Sequence, residues 1–371
     1  MMTLAQLAAL HRSLRDENVL SIYIDGAAAD PAIQRSWRTQ LDNSLKNLRE
    51  WLAGSSHAER ETFERCVRML DDALATFNGG FGAQGWTAFI TKDGVIESHV
   101  LPVPVPTLAV WSTGPAIAPY MRALKETRPV LVVLADAANA NLYRYERGKV
   151  ERVDTIRAHH VVEPPSHMGS PPRQGFHTGT RGTSGKDAAQ KSLLEGRDRM
   201  IQEIVRSVVT EAGDDAFVLV GGIKRVTSRI AKPLMDIAPD RVLELDSLDI
   251  HSTVDEIAKA ARAGASVLRS ATDNRRLSEI ADQAGAGGLG ALGPDQTRLA
   301  LENASVRDLF LTHRYLEDHA AEAEQAVRSA LDQNASVEEV STGAEPELER
   351  LGGMAAGLRF RPPFMTSATP V

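Results

Sequence analysis

A chain of 371 residues, 43% hydrophobic and 25% charged, is too long for one hydrophobic core and too apolar to stay disordered, so two or three globular domains are expected. Its formal charge of −7 argues against a protein that coats nucleic acid, and the lone Cys66 excludes an internal disulfide and fits a reducing cytosol. No stretch approaches the roughly 18 apolar residues of a membrane span, and residues 1–20 mix Arg, Asp and Glu where a signal peptide would be apolar, so a cytoplasmic protein with no membrane partner is expected.

In chain order, Leu4–Asp16 reads as a short helix and Val19–Asp25, alternating and β-branched, as a strand. Asp30-Pro31 opens a long amphipathic helix carrying Ile33, Trp37, Leu41, Leu45, Leu48 and Leu52 on one stripe. A second helix covers Ala58–Phe77. Strands Trp86–Thr91 and Val95–Leu101 flank Lys92-Asp93-Gly94, a hairpin signal. Pro102, Pro104 and Pro106 mark an extended edge or linker, and Tyr120–Lys125 a short helix. Val130–Asp136 is a continuous apolar run that predicts a central strand, followed by strands Ala140–Tyr145 and Lys149–Thr155. Next come a helix over Lys186–Glu211, strand Phe217–Gly222, helix Thr227–Met235 and strand Arg241–Leu245. Two helices, Thr253–Ala265 and Asn274–Ala284, lead to a glycine-rich run ending at Gly293-Pro294. Helix Asp295–Asn303, strand Val306–Thr312, helix Tyr315–Leu331 and strands Ser336–Val340 and Leu358–Phe360 close the pattern before a loose tail, Pro362–Val371. Strands alternating with helices after a meander predict an α/β (α+β) protein with a mixed central sheet.

The segment from Arg157 to Arg206 stands apart. It begins as a Pro/Gly/His stretch without apolar period, His159–Ser184, and passes into the amphipathic helix. A loop of this length is functional or disordered. From 157 to 191 it carries Arg157, Arg173, Arg181, Lys186 and Lys191 against Glu163 and Asp187 only, a basic finger on an acidic body. Such a finger suits a polyanion met at one point. Glycine lets the backbone come close to phosphates, and a helix N-terminus adds positive potential. The candidate RNA-binding residues are therefore Arg173, Gly179, Arg181, Gly182, Gly185, Lys186 and Lys191, with Lys224 and Arg225 as a second patch. The plain alternative is a solvated flexible loop.

Other patterns carry less. Gly179–Lys186 looks like a P-loop, but Thr180 stands where its first glycine belongs and Asp187 where its Ser/Thr belongs. Gly285-x-Gly287-x-x-Gly290 matches a dinucleotide fingerprint by letters, but a helix rather than a strand precedes it. His159, His160, His167 and His177 lack the nearby cysteines of a zinc site and read as exposed loop histidines. Asp136 reads as a strand-terminating Asp rather than a catalytic carboxylate. No metal and no cofactor is expected.

Four stretches together resemble the archaeal and eukaryotic class-one peptide-release factor and Pelota superfamily, in its bacterial, Balon-like branch. They are V-L-S-I-Y-I-D (19–25) before the long helix, W-S-T-G-P-A-I-A-P-Y-M-R-A-L (111–124) leading into 130–145, the Gly/Arg loop before the helix (178–209), and G-G-L-G-A-L-G-P-D-Q-T-R-L-A-L-E-N-A-S-V-R-D-L-F-L (287–311). The resemblance implies three domains: an N-terminal α+β domain (1–127), a central domain with a ribonuclease-H-like mixed sheet and the basic loop 157–191 (128–248), and a C-terminal ribosomal-protein-like α/β sandwich with a loose tail (249–371). It further implies a cytosolic factor that enters the ribosomal A site, points its central loop at the peptidyl-transferase centre near the tRNA acceptor end, and contacts the ribosome or an associated translational GTPase through its third domain. In release factors that loop carries Gly-Gly-Gln. Here the motif is absent, and the nearest glutamines are Gln174 and Gln190. Docking without hydrolysis, in hibernation or stalled-ribosome recognition, is the favoured expectation. A peptidyl-tRNA hydrolase using Gln174 or Gln190 in ribosome rescue, and a small-molecule-binding stress protein with an incidental loop, are the alternatives.

Overall fold

The computed structural model describes residues 1–26, 36–75, 84–146, 148–158, 185–213, 216–341 and 343–363, without the side chains of 185–193. These residues form two compact units, one built from 1–127 with 270–371 and the other from 128–269.

The chain opens with α1 (Leu4–Leu14). Thr3 Oγ1 accepts the Gln6 amide at 3.2 Å and Gln6 Oε1 accepts the Thr3 amide at 2.8 Å, so two otherwise orphaned N–H groups are satisfied reciprocally. Then follow β1 (Asn18–Ile24), α2 (Ser36–Trp51), α3 (His57–Leu74), β2 (Gly85–Thr91), β3 (Gly94–Leu101), β4 (Leu108–Thr113) and α4 (Tyr120–Glu126). The four strands pair antiparallel in the order β3-β2-β1-β4. Alternation along β1 sends Leu20, Ile22 and Ile24 to the face covered by α2 and α3, where Phe63 meets Trp111 edge-on at 5.4 Å. Val19 and Tyr23 point to the opposite face. The hairpin at Lys92-Asp93 forms as its turn residues dictate. β4 is an addition to the expected elements, hidden behind the prolines that precede it.

The second unit contains β5 (Val130–Ala135), β6 (Asn139–Glu146), β7 (Lys149–Arg157), α5 (Gly185–Ala212), β8 (Phe217–Gly222), α6 (Lys224–Ile237) and β9 (Val242–Leu245). Its sheet order is β7-β6-β5-β8-β9, with β5, β6 and β7 antiparallel and β5, β8 and β9 parallel. This is the ribonuclease-H-like arrangement. β5 is buried along its whole length because both faces are covered, each fully buried Val or Leu being worth roughly 1.5–3 kcal/mol. α5 and α6 cover one face, and Ile257, Ala261, Ala265 and Leu268 the other.

Those four residues lie on α7 (Val254–Gly285), a single helix where two were expected. The interval 266–273 contains no Gly or Pro to break it, and Gly264 is tolerated because a Cβ there would meet the Leu219 methyls at 2.8 Å. After α7 come β10 (Gly290–Leu292), α8 (Gly293–Glu302), β11 (Val306–Leu311), α9 (His313–Asp318), α10 (Ala320–Asp332), β12 (Ser336–Glu339), α11 (Glu345–Arg350) and β13 (Met354–Leu358). The order is β10-β13-β11-β12, with β11 and β12 parallel and β13 antiparallel to its neighbours. The glycine run is structural. Gly287 takes φ +68 past the end of α7 while the Gly288 amide reaches back to the Gln283 carbonyl at 2.7 Å. At Gly290 a Cβ would stand 2.2 Å from the Ile280 carbonyl, so only glycine lets β10 press on the helix. The expected helix 315–331 is two, broken at His319, whose ring stacks on Tyr315 at 4.8 Å. The last strand lies at 354–358 rather than 358–360.

Within the first unit one core cluster takes residues from α1, β1 and α4 together with Ala300, Leu309 and Val327. At the end of α4, Lys125 Nζ donates to Asp273 Oδ2 at 2.6 Å and to the Glu339 carbonyl at 2.6 Å, while Asp273 also accepts the Ser341 amide at 2.7 Å.

Candidate nucleic-acid interface

In the 128–269 unit, β5, β7, β8 and β9 run in the same direction, so their ends form one rim. Asp136 Oδ1 accepts the amides of Ala138 and Asn139, both at 2.7 Å, and the Ala158 amide donates to the Ala138 carbonyl at 2.7 Å. The carboxylate is thus engaged in shaping the β5–β6 turn, as expected for a strand-terminating Asp. Gly222 leaves β8 at φ +126, and a Cβ there would lie 2.0 Å from the Ala135 carbonyl. No other residue allows β8 to exit over β5 in this way.

α5 spans 28 residues, about 42 Å at 1.5 Å per residue. Among the described residues, its core-facing side chains are Met200, Ile201, Ile204 and Val208. Two contacts set the register against the sheet: Ser207 Oγ donates to Asp154 Oδ2 at 3.0 Å, and Arg144 Nη2 donates to the Glu211 carbonyl at 2.8 Å. Counting back from Ser207 by the helical rise brings the rim level with about residue 200, and the turns from Gly185 to that level form an N-terminal stalk about 20 Å long. Arg229 on α6 braces that stalk through Asp198 at 2.8 Å. The stalk's N-terminus, where the helix dipole is positive, is the end that joins the basic loop.

Of the residues singled out from sequence, Arg173, Gln174, Gly179, Arg181 and Gly182 lie outside the described residues, as do the four loop histidines. Gly185, Lys186, Gln190 and Lys191 fall in the first turns of α5, where side chains are not described. Lys224 and Arg225 are described, and they differ. Lys224 Nζ lies 2.7 Å from Glu244 Oε2 and 3.4 Å from Asp246 Oδ1, and these hydrogen bonds raise its pKa, Glu244 first. Its charge is answered locally. Arg225 is exposed and has no partner among the described residues, and the same holds for Arg157 at the end of β7, a cation the sequence counted but did not single out. Arg144 and Arg229 are both paired with carboxylates. Among the described residues no group of three or more His, Cys, Asp or Glu could hold a metal, and no helix is long and apolar enough to cross a membrane.

Residues 115–272, which contain this sheet and its stalk, match the family described as Bacterial archaeo-eukaryotic release factor family 10. Over this stretch the chain is similar to the bacterial branch of the Pelota and release factor superfamily. The chain is 27% identical over 198 residues to the protein pelota homolog of Methanothrix thermoacetophila, covering 49% of this chain and 53% of that one. It therefore spans about half the length of that curated relative. Among solved structures it is similar to Archaeoglobus fulgidus Pelota, at 16% identity and TM-score 0.37 over 75% of this chain and 80% of the other. It is also similar to a translation termination-like factor of Saccharomyces cerevisiae involved in RNA quality control, at 11% identity and TM-score 0.46 over 76% and 82%.

Proposed function

We propose that the protein is a ribosome-associated translation factor that enters the A site, with the loop at the tip of the stalk near the peptidyl-transferase centre, and acts in hibernation or stalled-ribosome recognition without hydrolysing peptidyl-tRNA. The observation that carries this reading is the family match over 115–272, which includes the stalk, combined with a loop whose sequence lacks Gly-Gly-Gln. Residues 1–127 face the decoding side, 128–248 reach the tRNA acceptor end, and 249–371 meet the ribosome or a translational GTPase. Arg173, Arg181, Lys186 and Lys191 contact phosphates and position the factor, since such contacts fix placement rather than sequence. Arg225 and Arg157 extend the patch at the rim, whereas Lys224 is held by its carboxylates. The protein works in the cytoplasm.

The test is a release assay on ribosomes loaded with labelled peptidyl-tRNA. The factor binds and the peptide stays attached. Turnover abolished by Gln174→Ala or Gln190→Ala would instead make it a hydrolase.

A further inference from the structure

At the base of the stalk, α5, α6 and the end of β7 come together, and two contacts fix how. Ser207 on α5 donates to Asp154 on β7, three residues before Arg157, and Asp198 on α5 accepts from Arg229 on α6, one turn after Arg225. From Asp154 to Arg157 the strand advances about 10 Å toward the rim, and from Ser207 back to Arg197 the helix advances about 15 Å, so Arg157 and Arg197 leave the backbone at nearly the same level. Arg225 joins them there, because α6 starts directly after Ile223, whose amide donates to the Ala135 carbonyl at the end of β5 at 3.1 Å.

Arg197 occupies an unusual place for a charge. It stands four residues before Ile201 and seven before Ile204, on the stripe of α5 that faces the core. A helical side chain leans toward the N-terminus of its helix, so the guanidinium lies on the rim side of the last core residue. It is half-buried, its Nε is buried without a hydrogen-bond acceptor, and no carboxylate among the described residues pairs with it. Arg157 and Arg225 are exposed and likewise without a partner among the described residues. The neighbouring carboxylates are already answered. Asp136 accepts two amides, Asp198 holds Arg229, Glu195 lies 3.9 Å from Arg199, and Glu244 and Asp246 hold Lys224. Three guanidiniums from three different elements are thus left without a counter-charge at one level of the fold. The planar fork of arginine fits phosphate oxygens two at a time, and a buried donor without an acceptor is uncommon.

We propose that the base of the stalk is a phosphate site of its own, where Arg157, Arg197 and Arg225 hold the backbone of an RNA strand independently of the loop at the tip. The choice of RNA among polyanions rests on the ribosome-associated reading above. Arg197 is the central residue, since its stem is already packed and little freedom is lost when its head is engaged. The site fixes position and not sequence.

Anisotropy with a fluorescein-labelled single-stranded RNA of mixed sequence, about ten nucleotides long, tests it on the full chain carrying Arg173→Glu and Arg181→Glu, which removes the loop's contribution. That chain still binds the RNA. Adding Arg157→Gln, Arg197→Gln and Arg225→Gln weakens binding at least about tenfold and flattens the slope of log affinity against log salt by about 0.7 per lost contact. Arg197→Lys keeps the slope, and Lys224→Gln, which removes a charge already answered, changes neither affinity nor slope. No RNA binding in the loop background, an unchanged slope after the three substitutions, or an equal loss with Lys224→Gln overturns the proposal. Co-sedimentation with ribosomes separates it from the reading it rests on. If the three arginines govern RNA affinity but the unaltered chain does not sediment with ribosomes, the ribosomal reading falls and the phosphate site stands. If the chain sediments and the three substitutions alter neither sedimentation nor RNA affinity, the site falls and the reading stands.

Discussion

Two lysines of this chain have the same partners on paper and different surroundings. Lys125, in the unit of 1–127 with 270–371, is 13% exposed and pairs with Asp273, which is 1% exposed, and with Glu338 at 3.8 Å. Lys224, on the rim of the other unit, is 66% exposed and pairs with Glu244 and Asp246. Both have two carboxylates within reach. The first pair is cut off from water and holds α4 to α7 and the strand end at Glu339. The second is solvated and only cancels a charge. Burial, not the number of partners, decides which one the fold depends on.

The largest effect follows from breaking the buried member. Lys125→Met leaves Asp273 charged, buried and short of a partner, and lowers stability by about 3–5 kcal/mol, read as a drop in denaturant midpoint. Replacing the backbone requirement at the rim comes next. Gly222→Ala forces φ +126 and a 2.0 Å clash on an L-residue, at a cost of about 1–3 kcal/mol or more, and the loss appears in the 128–269 unit by hydrogen exchange. Lys224→Ala leaves the denaturant midpoint unchanged. A destabilisation matching that of Lys125→Met would erase the contrast.

Acid sharpens the contrast from another side. Burial holds His11 below the 6.5 of a free imidazole; Asp332 and Glu324 oppose the shift and Arg328 adds to it. The unfolded chain therefore takes the proton first. The contribution is fully present above pH 6.5 and is lost as pH falls through the lowered folded value. His99, also lowered by burial, acts in the same direction. His11→Asn reduces the slope of stability against pH in that window, measured by denaturant titration. The smallest effect is a null one. Burial pushes the Cys66 thiol up to about 11, so thiol reagents label it only when the α2–α3 core opens, and its labelling rate reports Lys125→Met unfolding without perturbing the rim.

Much of this architecture could be read from residue patterns, and the misses share a cause. β5 and β8 were plain because V-L-V-V-L-A and F-V-L-V-G-G are apolar and β-branched. β10 and β13 were misread because G-A-L and M-A-A-G-L are small, a requirement of packing close to a helix that looks like loop composition in one dimension. The two-helix reading left 266–273 out of α7 although that interval contains no Gly or Pro to break a helix. In the site, the basic stretch 157–191 lies largely outside the described residues, and of the expected RNA-binding residues only Lys224 and Arg225 have described side chains. The neutralisation of Lys224 was not legible in the sequence, since Glu244 and Asp246 come beside it only through the parallel pairing of β8 with β9.

The most direct test of the central claim is co-sedimentation with ribosomes across a salt series, comparing the unaltered chain with Arg173→Glu/Arg181→Glu. The account predicts binding that weakens linearly in log affinity against log salt, with the variant losing affinity and its slope falling by roughly 0.7–0.9 per lost phosphate contact. Absence of ribosome binding at low salt, or a variant with unchanged affinity and slope, contradicts it.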